Sequence, residues 1–399
     1  MHNPRRSDVG IAPYEGVSSF FGGDYHQGGG SMPSQVTNYK CPACTGPLHF
    51  TSASGMLECD YCGAHYTVEE VERLMREEEA KAAEAYANAQ ANGNGWDTSQ
   101  LENEWGEDAE NLRAYNCPSC GAELICDATT AATSCPYCNN PTVVPGQLSG
   151  ILKPDYVIPF RFSKEQALSA LKTHYKGKPF LPKAFTDANH IEEIQGVYVP
   201  FWLFDGVADA DVEFAATRSH TRRSGNYEIT TTEHYRILRS GSVGFDRVPV
   251  DASTKMPDNH MDSIEPYDYS DIRDFSIAYL PGFLADKFDV SAEESAPRAD
   301  IRCKNTVIDK LRGTVSGYST VSTRSENVEL RRGSVKYALF PVWMLNTKWK
   351  DKTFLFAMNG QTGKIVGDLP ISKGKLWGTF AAIAGSAAAV LTALMLIAH

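Results

Sequence analysis

The chain has 399 residues, of which 42% are hydrophobic and 22% are charged, and its formal net charge is −11. This composition is typical of a globular protein with two or three folded units and excludes a mainly disordered or fibrous chain. The acidic balance argues against nucleic acid as the main ligand, because binding to phosphates needs clustered Lys and Arg.

Residues 1–38 are rich in Gly and Ser and show no apolar periodicity, so we predict a disordered N-terminal segment. The segment contains Arg5 and Arg6 but no apolar run of the length that a secretory signal needs. The sequence therefore gives no indication of export, which favours reduced cysteines over disulfides.

Two segments, residues 39–68 and 111–148, carry the same cysteine pattern: two Cys-x-x-Cys pairs separated by fourteen residues. Zinc takes four thiolates in a tetrahedron, and Cys-x-x-Cys lets one tight turn present two sulfurs to one ion. Four protein ligands leave no open position, so each ion would be structural. We predict two zinc ribbons and two structural zinc ions, with the ligand sets Cys41, Cys44, Cys59 and Cys62, and Cys117, Cys120, Cys135 and Cys138.

Four further side chains could be mistaken for metal ligands. His49 and His65 flank the first ribbon, but its four cysteines already complete a shell, so surface positions are expected. Cys126 aligns with Phe50 of the first copy and is predicted to be a packing residue. Cys303 stands alone and is predicted to be a buried thiol.

Residues 69–110 form an acidic linker, with thirteen acidic and three basic side chains. A capping box at residues 67–70 begins a predicted helix that becomes solvated and Ala-rich, as in a semi-rigid spacer. Trp96 and Trp105 are large apolar groups in this acidic surrounding. We predict that they pack against the second ribbon and hold the linker to it. The alternative is that they form a hot spot that binds a partner protein.

Residues 149–372 change to a pattern of strands and amphipathic helices, which predicts a membrane-proximal α+β domain. The segment 198–204 is echoed at 338–345, each preceded by an apolar segment and a helix with a capping box, at residues 163–166 and 291–294. We therefore predict two similar halves, about 153–250 and 275–370. Pro200 and Pro341 cannot donate a ladder hydrogen bond, so their strands are expected at sheet edges or bulges. Pro297 is expected to kink or begin its helix. Residues 354–366 predict a hairpin.

Residues 376–398 carry no charged side chain. At 1.5 Å per residue the run would extend about 34 Å, enough to cross a hydrocarbon core of about 30 Å. Lys373 and Lys375 precede it, which places the preceding domains in the cytoplasm by the positive-inside rule. We predict one C-terminal transmembrane helix and a single-pass protein of the cell membrane; a buried amphipathic helix is the alternative.

No known catalytic pattern accompanies these parts: the chain lacks a phosphate loop, His-Glu-x-x-His, Gly-x-Ser-x-Gly and Gly-x-Gly-x-x-Gly. We therefore expect no enzyme activity and name no catalytic or cofactor-binding residue. An acidic group between Asp246 and Asp274 is interrupted by Arg247, Lys255 and Arg273 and lacks an EF-hand spacing, so a solvated surface is favoured over a calcium site.

The chain resembles a bacterial family of TFIIB-type double zinc-ribbon membrane proteins, many of which bear the label primosomal helicase. The likeness extends from about Tyr39 into the final helix and rests on four long runs, residues 152–160, 196–206, 250–258 and 356–364. The helicase label does not fit, because the chain has no phosphate loop. The better-studied relatives resemble membrane-anchored recruiters in phage-shock-type envelope-stress operons, which hold an SPFH-domain (stomatin-like) partner.

These features favour a tail-anchored cytoplasmic adaptor that recruits a protein partner to the membrane in the envelope-stress response. The resemblance implies an SPFH-domain or phage-shock-type protein as that partner. Two alternatives stay open: a zinc-ribbon protein that binds nucleic acid in transcription or replication, and an enzyme with an unrecognised site in the α+β domain.

Overall fold

The computed structural model describes residues 39–51, 54, 56–59, 61–101, 103–130, 134–141, 143–146, 152–176, 178, 180–182, 193–224, 227–349, 352–367 and 372–397. The predicted disordered segment 1–38 lies outside the described residues. The described residues form two sheets with helices packed against them.

The first ribbon is a small antiparallel sheet of four strands in sequential order. The strands are short because two of the connections are the cysteine turns themselves, which leave few residues for pairing. Its strands are β1 (Tyr39–Lys40), β2 (Pro47–Thr51), β3 (Met56–Cys59) and β4 (His65–Tyr66).

The second sheet has eleven strands and contains both the second ribbon and the α+β domain. Three long antiparallel strands form its centre, with β9 between β10 and β13. The eleven strands are β5 (Leu112–Asn116), β6 (Glu123–Asp127), β7 (Val144–Pro145), β8 (Tyr156–Val157), β9 (Gln195–Ser224), β10 (Tyr227–Asp251), β11 (Arg273–Asp274), β12 (Leu284–Asp286), β13 (Thr320–Trp349), β14 (Lys352–Asn359) and β15 (Ile365–Gly367).

The centre of this sheet has a two-fold pattern. Pro200 lies opposite Leu339, and Pro341 lies opposite Tyr198, so the two echoed segments cross each other in a symmetric register. The two strands that carry the echoed segments, β9 and β13, each also receive a short parallel neighbour from the other part of the domain: β8 pairs with β13, and β12 pairs with β9. Each is followed by its own antiparallel hairpin partner, β10 after β9 and β14 after β13.

The two prolines occupy interior strands, so the expectation of edges or bulges at these positions is wrong. The side of β9 that faces away from β13 changes partner near Pro200: β12 pairs through Tyr198 and β10 begins at Phe201. Pro341 lies at the corresponding change from β8 to β14. Each proline therefore sits where one neighbouring strand ends and the next begins, and its missing N–H leaves no ladder bond unmade.

Five α-helices lie within the described residues. Capping boxes begin three of them, at Thr67, Ser163 and Ser291, as the sequence predicted for each. The third helix begins at its Ser291 cap and continues through Pro297, so it does not start at that proline. The helices are α1 (Val68–Ala91), α2 (Lys164–Tyr175), α3 (Asp258–Ile264), α4 (Ala292–Gly313) and α5 (Lys373–Ile397).

Helix α4 packs across the three long strands, and α1 packs against α4. The linker helix is therefore not a free spacer: its Val71 and Tyr86 are buried. The predicted hairpin at residues 354–366 is present as β14 and β15, whose antiparallel pairing includes Met358 opposite Ile365.

Both linker tryptophans are buried, in a core cluster that contains Leu112 and Ile125 of the second ribbon as well as side chains of the α+β domain. The Trp96 ring packs edge-on against Phe204 at 5.0 Å, and the Trp105 ring against Phe275 at 5.5 Å. Both partners belong to the α+β domain, so the linker is fastened to the large sheet. The large apolar area of each tryptophan is well buried against the aromatic side chains of that core.

Helix α5 leaves the domain. No helix within the described residues combines the length and apolarity that a membrane crossing requires. The predicted span, residues 376–398, continues beyond Ala387, where the side chains lie outside the described residues.

Candidate metal centres

The structure brings together each of the two predicted cysteine sets. In the first ribbon the Sγ atoms of Cys41 and Cys62 are 3.6 Å apart, and those of Cys44 and Cys59 are 3.4 Å apart. In the second ribbon the corresponding pairs, Cys117 with Cys138 and Cys120 with Cys135, are both 3.6 Å apart. Within each set all four sulfurs lie within 4.8 Å of one another.

These spacings fit a tetrahedral metal ion. A tetrahedron with zinc–sulfur bonds of about 2.3 Å has sulfur–sulfur edges of about 3.8 Å, close to the observed separations. No disulfide joins any of these cysteines. The donor set of four sulfurs suits zinc, although other thiophilic ions share the preference. The chain thus has two sites that could each hold one metal ion.

The four cysteine turns share one backbone geometry. In each, the residue four positions after the first cysteine donates its N–H to that cysteine's carbonyl, at 2.8 to 3.0 Å. That residue has a positive φ angle in every turn. Glycine adopts this conformation without strain and asparagine tolerates it, whereas the β-branched Thr45 does so at a cost. The four residues are Thr45 (φ 58°), Gly63 (φ 68°), Gly121 (φ 71°) and Asn139 (φ 56°).

Hydrogen bonds within the turns favour the thiolate form of two ligand cysteines, Cys117 and Cys41. Burial raises the pKa of four others, which are Cys44, Cys59, Cys120 and Cys135. Burial by itself would raise the pKa of the Cys117 thiol, but the backbone N–H groups of Cys120 and Ser119 lower it to about 7. For Cys41 burial is likewise outweighed, here by the Tyr66 hydroxyl and by backbone N–H groups of the same turn, and the pKa falls to about 7. Hydrogen bonds to sulfur stabilise its charged form.

The second centre is built into the large sheet. Strand β6, which connects its two cysteine turns, pairs with β12, and β12 pairs with the central strand β9. The hydroxyl of Tyr137, which lies between two ligand cysteines, donates to Asp286 at 2.6 Å. Asn346 of β13 donates to the Tyr137 carbonyl. The strands of the second ribbon therefore belong to the same sheet as those of the α+β domain.

The first centre is held differently, through side-chain contacts at its surface. Arg312 at the end of α4 donates to the carbonyl of Cys44, and its guanidinium lies 4.9 Å from the centre of the Tyr61 ring. The Tyr61 hydroxyl donates to Asp309 at 2.8 Å, and Lys40 forms an ion pair with Glu326 at 3.3 Å. No strand of this ribbon pairs with the described part of the large sheet.

Beside the first ribbon lies a group of charged side chains that the sequence analysis placed on a solvated surface. That expectation is wrong for Asp251 and Glu265, which are 2% and 6% exposed. Arg298 lies 3.1 Å from Asp251 and also contacts Asp258, while Arg302 forms a 2.6 Å ion pair with Glu265. Burial of an unpaired charge is costly, so the two arginines make this burial tolerable.

Asp258, Arg298 and Arg302 of this group line a cleft of about 220 Å³ between α1, α3 and α4, which Tyr39 of the first ribbon also lines. The Tyr39 hydroxyl is hydrogen-bonded to Asp262, and burial, followed by the charge of Asp262, raises the pKa of Tyr39 well above its usual value. The sequence offered one signal for the group: Arg298 and Arg302 are four residues apart and share a helix face.

The remaining cysteines are where they were predicted. Cys126 and Cys303 are buried at 0% and 1% exposure, and neither joins a metal set. His65 is exposed and forms a 3.4 Å contact with Glu58, outside the metal shell. The side chain of His49 lies outside the described residues.

The fold and these centres define a class: proteins with two four-cysteine ribbons, one of them joined to an α+β sheet. The chain is 35% identical over 350 residues to a Bacillus subtilis (strain 168) protein titled "Uncharacterized protein YdjG". The match covers 88% of this chain and 95% of that protein, and the chain belongs to the YdjG family. No known protein-family profile matches the chain. No solved structure matches it either.

Proposed function

We propose that the chain is a membrane-anchored cytoplasmic adaptor that recruits a protein partner to the membrane in the envelope-stress response. The observation that carries the proposal is the exposed apolar surface of α5. Trp377, Phe380 and Ile383 on this helix are 66%, 62% and 62% exposed. A helix that is apolar on all sides is unstable in water and needs an apolar surrounding, which a bilayer provides.

The junction between α5 and the domain supports the same orientation. The backbone N–H of Ser372 donates to the Phe180 carbonyl at 2.8 Å, and the Lys375 ammonium donates to the Leu181 carbonyl at 2.7 Å. The helix is therefore fixed to the domain at its basic end. Lys375 lies on the side of the span where the positive-inside rule expects cytoplasm, and the ribbons belong to that side.

An adaptor role agrees with the closed geometry of both centres. Four sulfurs complete each shell, so a bound zinc ion would stabilise the ribbon and would not hold a substrate. The first ribbon also presents exposed groups, with Pro42 and Ala43 at its first cysteine turn and Tyr61 at its second. A rigid turn with a few exposed apolar groups is suited to protein recognition.

Nucleic-acid binding is less well supported. Two of the three arginines of strand β9 face acidic residues on β10: Arg223 lies opposite Glu228, and Arg218 lies opposite Glu233. This alternation offsets the positive charge that phosphate binding requires. For the enzyme alternative, a catalytic zinc would need an open coordination position, which neither four-cysteine set provides.

The experiment is recruitment of a fluorescent partner to membranes of cells that carry the full chain. The first candidate is an SPFH-domain protein, because the sequence resembles recruiters of such proteins. Cys41→Ser should release the partner while the chain stays in the membrane fraction. Cys303→Ala, which removes a cysteine outside both metal sets, is the matched control and should leave recruitment unchanged.

Unchanged recruitment in both Cys41→Ser and Cys117→Ser would assign the partner surface to another part of the α+β domain. Tight DNA binding by the full chain at physiological salt would favour the nucleic-acid alternative. A chain that recruits nothing and remains soluble would contradict the adaptor proposal.

A further inference from the structure

The long strands β9 and β10 continue beyond the body of the domain as a two-stranded arm. Pairing between β13 and β9 ends at Thr320 opposite Thr217, so the later residues of β9 pair with β10 alone. Residues 219–224 and 227–234 are exposed on both faces of the ladder. We call residues 218–224 and 227–236 the hairpin arm. Two strands without a third strand or a packed face are marginally stable in water.

The outer edge of β10 is open in this arm. Within the described part of the chain, β10 pairs only with β9, so its other edge presents unpaired N–H and C=O groups. Proteins usually protect such an edge with proline, a bulge or charged side chains, of which lysine is the most frequent. Residues 227–245 contain neither proline nor lysine, and the ladder has no register shift until after Phe245. The edge is therefore able to accept another strand.

Exposed apolar side chains on β10 also favour the addition of a strand at this edge. Tyr227, Ile229 and Leu238 are 77%, 39% and 50% exposed, and all three belong to β10. Exposed apolar groups on a long open edge are typical of a site for strand addition. A second strand along this edge would cover them and supply the missing backbone partners.

We propose that the arm pairs with the same arm of a second copy of this chain, through antiparallel β10 strands related by a two-fold axis at Thr232. In this register Glu228 lies opposite Arg236 of the second copy, twice by symmetry. Ile229 lies opposite Tyr235 in the same way, and the two Thr232 residues face each other. Opposite charges and apolar pairs across strands are each stabilising.

The charges continue across the four strands of such a pair. Glu228 already faces Arg223 within its own hairpin, so the added Arg236 would place it between two arginines. Arg236 in turn contacts Glu213 of its own β9 at 2.6 Å. Positive and negative side chains thus alternate from one β9 strand to the other.

Neighbouring registers are less favourable. A two-fold axis at residue 233 would place Glu233 opposite its own copy, with two like charges in contact. An axis at residue 231 would place Ile229 opposite Glu233, which pairs an apolar side chain with a charge. Like charges directly opposite each other destabilise a ladder. The sequence of β10 therefore selects the register that is centred on Thr232.

The test measures self-association of the full chain in mild detergent by analytical ultracentrifugation. Glu228→Arg and Arg236→Glu each place like charges opposite each other and should raise the dissociation constant about ten-fold or more. The double variant Glu228→Arg/Arg236→Glu restores opposite charges across the pair. It should self-associate more tightly than Arg236→Glu alone, because both variants lack the Arg236 contact with Glu213 and only the double variant has opposite charges. Glu329→Arg, an exposed change of equal charge on β13, is the control and should behave as wild type.

Hydrogen exchange adds a local measurement, since backbone amides of residues 228–236 should gain protection as protein concentration rises. All substituted positions are on the surface, and two metal ions per chain would confirm that each variant is folded. A wild-type chain that stays monomeric, a Glu228→Arg variant that associates like wild type, or a double variant no tighter than Arg236→Glu would overturn the proposal. The proposal concerns the arm alone and stands apart from the membrane role.

Discussion

The hydroxyl of Tyr137 donates a 2.6 Å hydrogen bond to the carboxylate of Asp286, which joins a metal-binding turn to the centre of the large sheet. Tyr137 lies between two ligand cysteines, and Asp286 is the last residue of β12, beside β9. Ser253 donates to the same carboxylate oxygen at 2.7 Å. Because the second ribbon shares its strands and this contact with the sheet, its metal should affect the stability of the whole domain.

Metal analysis of the purified chain should give two zinc ions per chain, because each four-sulfur set is complete without a ligand from the other. Inductively coupled plasma mass spectrometry on protein produced without added metal measures both the number and the element. A value near one, or iron in place of zinc, would contradict the prediction of two zinc ribbons.

The two centres should differ in how far the loss of a ligand spreads. Cys120→Ser should lower the thermal stability of the entire α+β domain, because β6 and β12 are part of its sheet. Cys44→Ser should loosen mainly residues 39–66, because the first ribbon contacts the domain through side chains. Binding of a structural metal supplies much of the folding energy of so small a unit.

Hydrogen exchange of both variants distinguishes these outcomes, with protection of β9 and β13 as the readout. Equal loss of protection on those strands in the two variants would contradict the difference between the centres.

The metal ligands could be predicted from sequence because their spacing is local: a turn of four residues presents two sulfurs wherever it occurs. The helix starts at Thr67, Ser163 and Ser291 could be predicted from the sequence for the same reason, since a capping box lies within four residues. Strand pairs between segments far apart in sequence could not be predicted in this way. Nothing local in β6 indicates that it pairs with β12, and so the second ribbon looked independent.

Burial was the other quantity that the sequence did not supply. Trp96 stands among acidic residues, yet its indole N–H donates to Asp300 at 3.0 Å inside the core. Asp251 lies in an acidic run, yet Arg298 from a helix some fifty residues later accompanies it into the interior. In both places a polar partner contributed by a distant segment makes burial tolerable, and a local pattern cannot show that.

Stability should depend on the protonation of Asp286. Burial raises the pKa of this carboxyl to about 7, against the lowering effect of the Tyr137 and Ser253 hydroxyls. An unfolded aspartate titrates near pH 4. The folded state therefore holds its proton more tightly, and this contribution to stability is complete below about pH 4 and lost as the pH rises to about 7.

Asp286→Asn removes this titration, and its single amide oxygen can still accept from both hydroxyls. The free energy of unfolding of wild type should fall relative to that of the variant as the pH rises from about 5 to about 7. Chemical denaturation with zinc in excess at each pH measures the difference, and metal release at low pH affects both proteins alike. A difference that does not change with pH would show that Asp286 is ionised throughout.

Trp96→Ala should destabilise the chain by about 3–5 kcal/mol, the usual cost of removing a large buried aromatic side chain. The substitution also leaves Asp300 with Arg332 as its remaining partner, through an ion pair of 2.6 Å. Trp377→Ala, at a position that is 66% exposed, is the matched control and should change stability by about 0.5 kcal/mol or less. Denaturant unfolding compares the two variants, and similar effects would show that the linker is not fastened to the core.

Membrane association should require the apolar surface of α5. Phe380 and Ile383 are both 62% exposed and lie one turn apart on this helix. A charged side chain within a bilayer costs about 2.5–3.5 kcal/mol on insertion scales, so Phe380→Lys with Ile383→Lys should move the full chain from the membrane fraction to the soluble fraction. Truncation after Ser372 should do the same, with both metal centres intact.

Tyr227→Lys, at an exposed aromatic position on the hairpin arm, is the control and should leave the distribution of the chain between the two fractions unchanged. A truncated chain that stays with membranes through a carbonate wash would show that another surface holds the protein there.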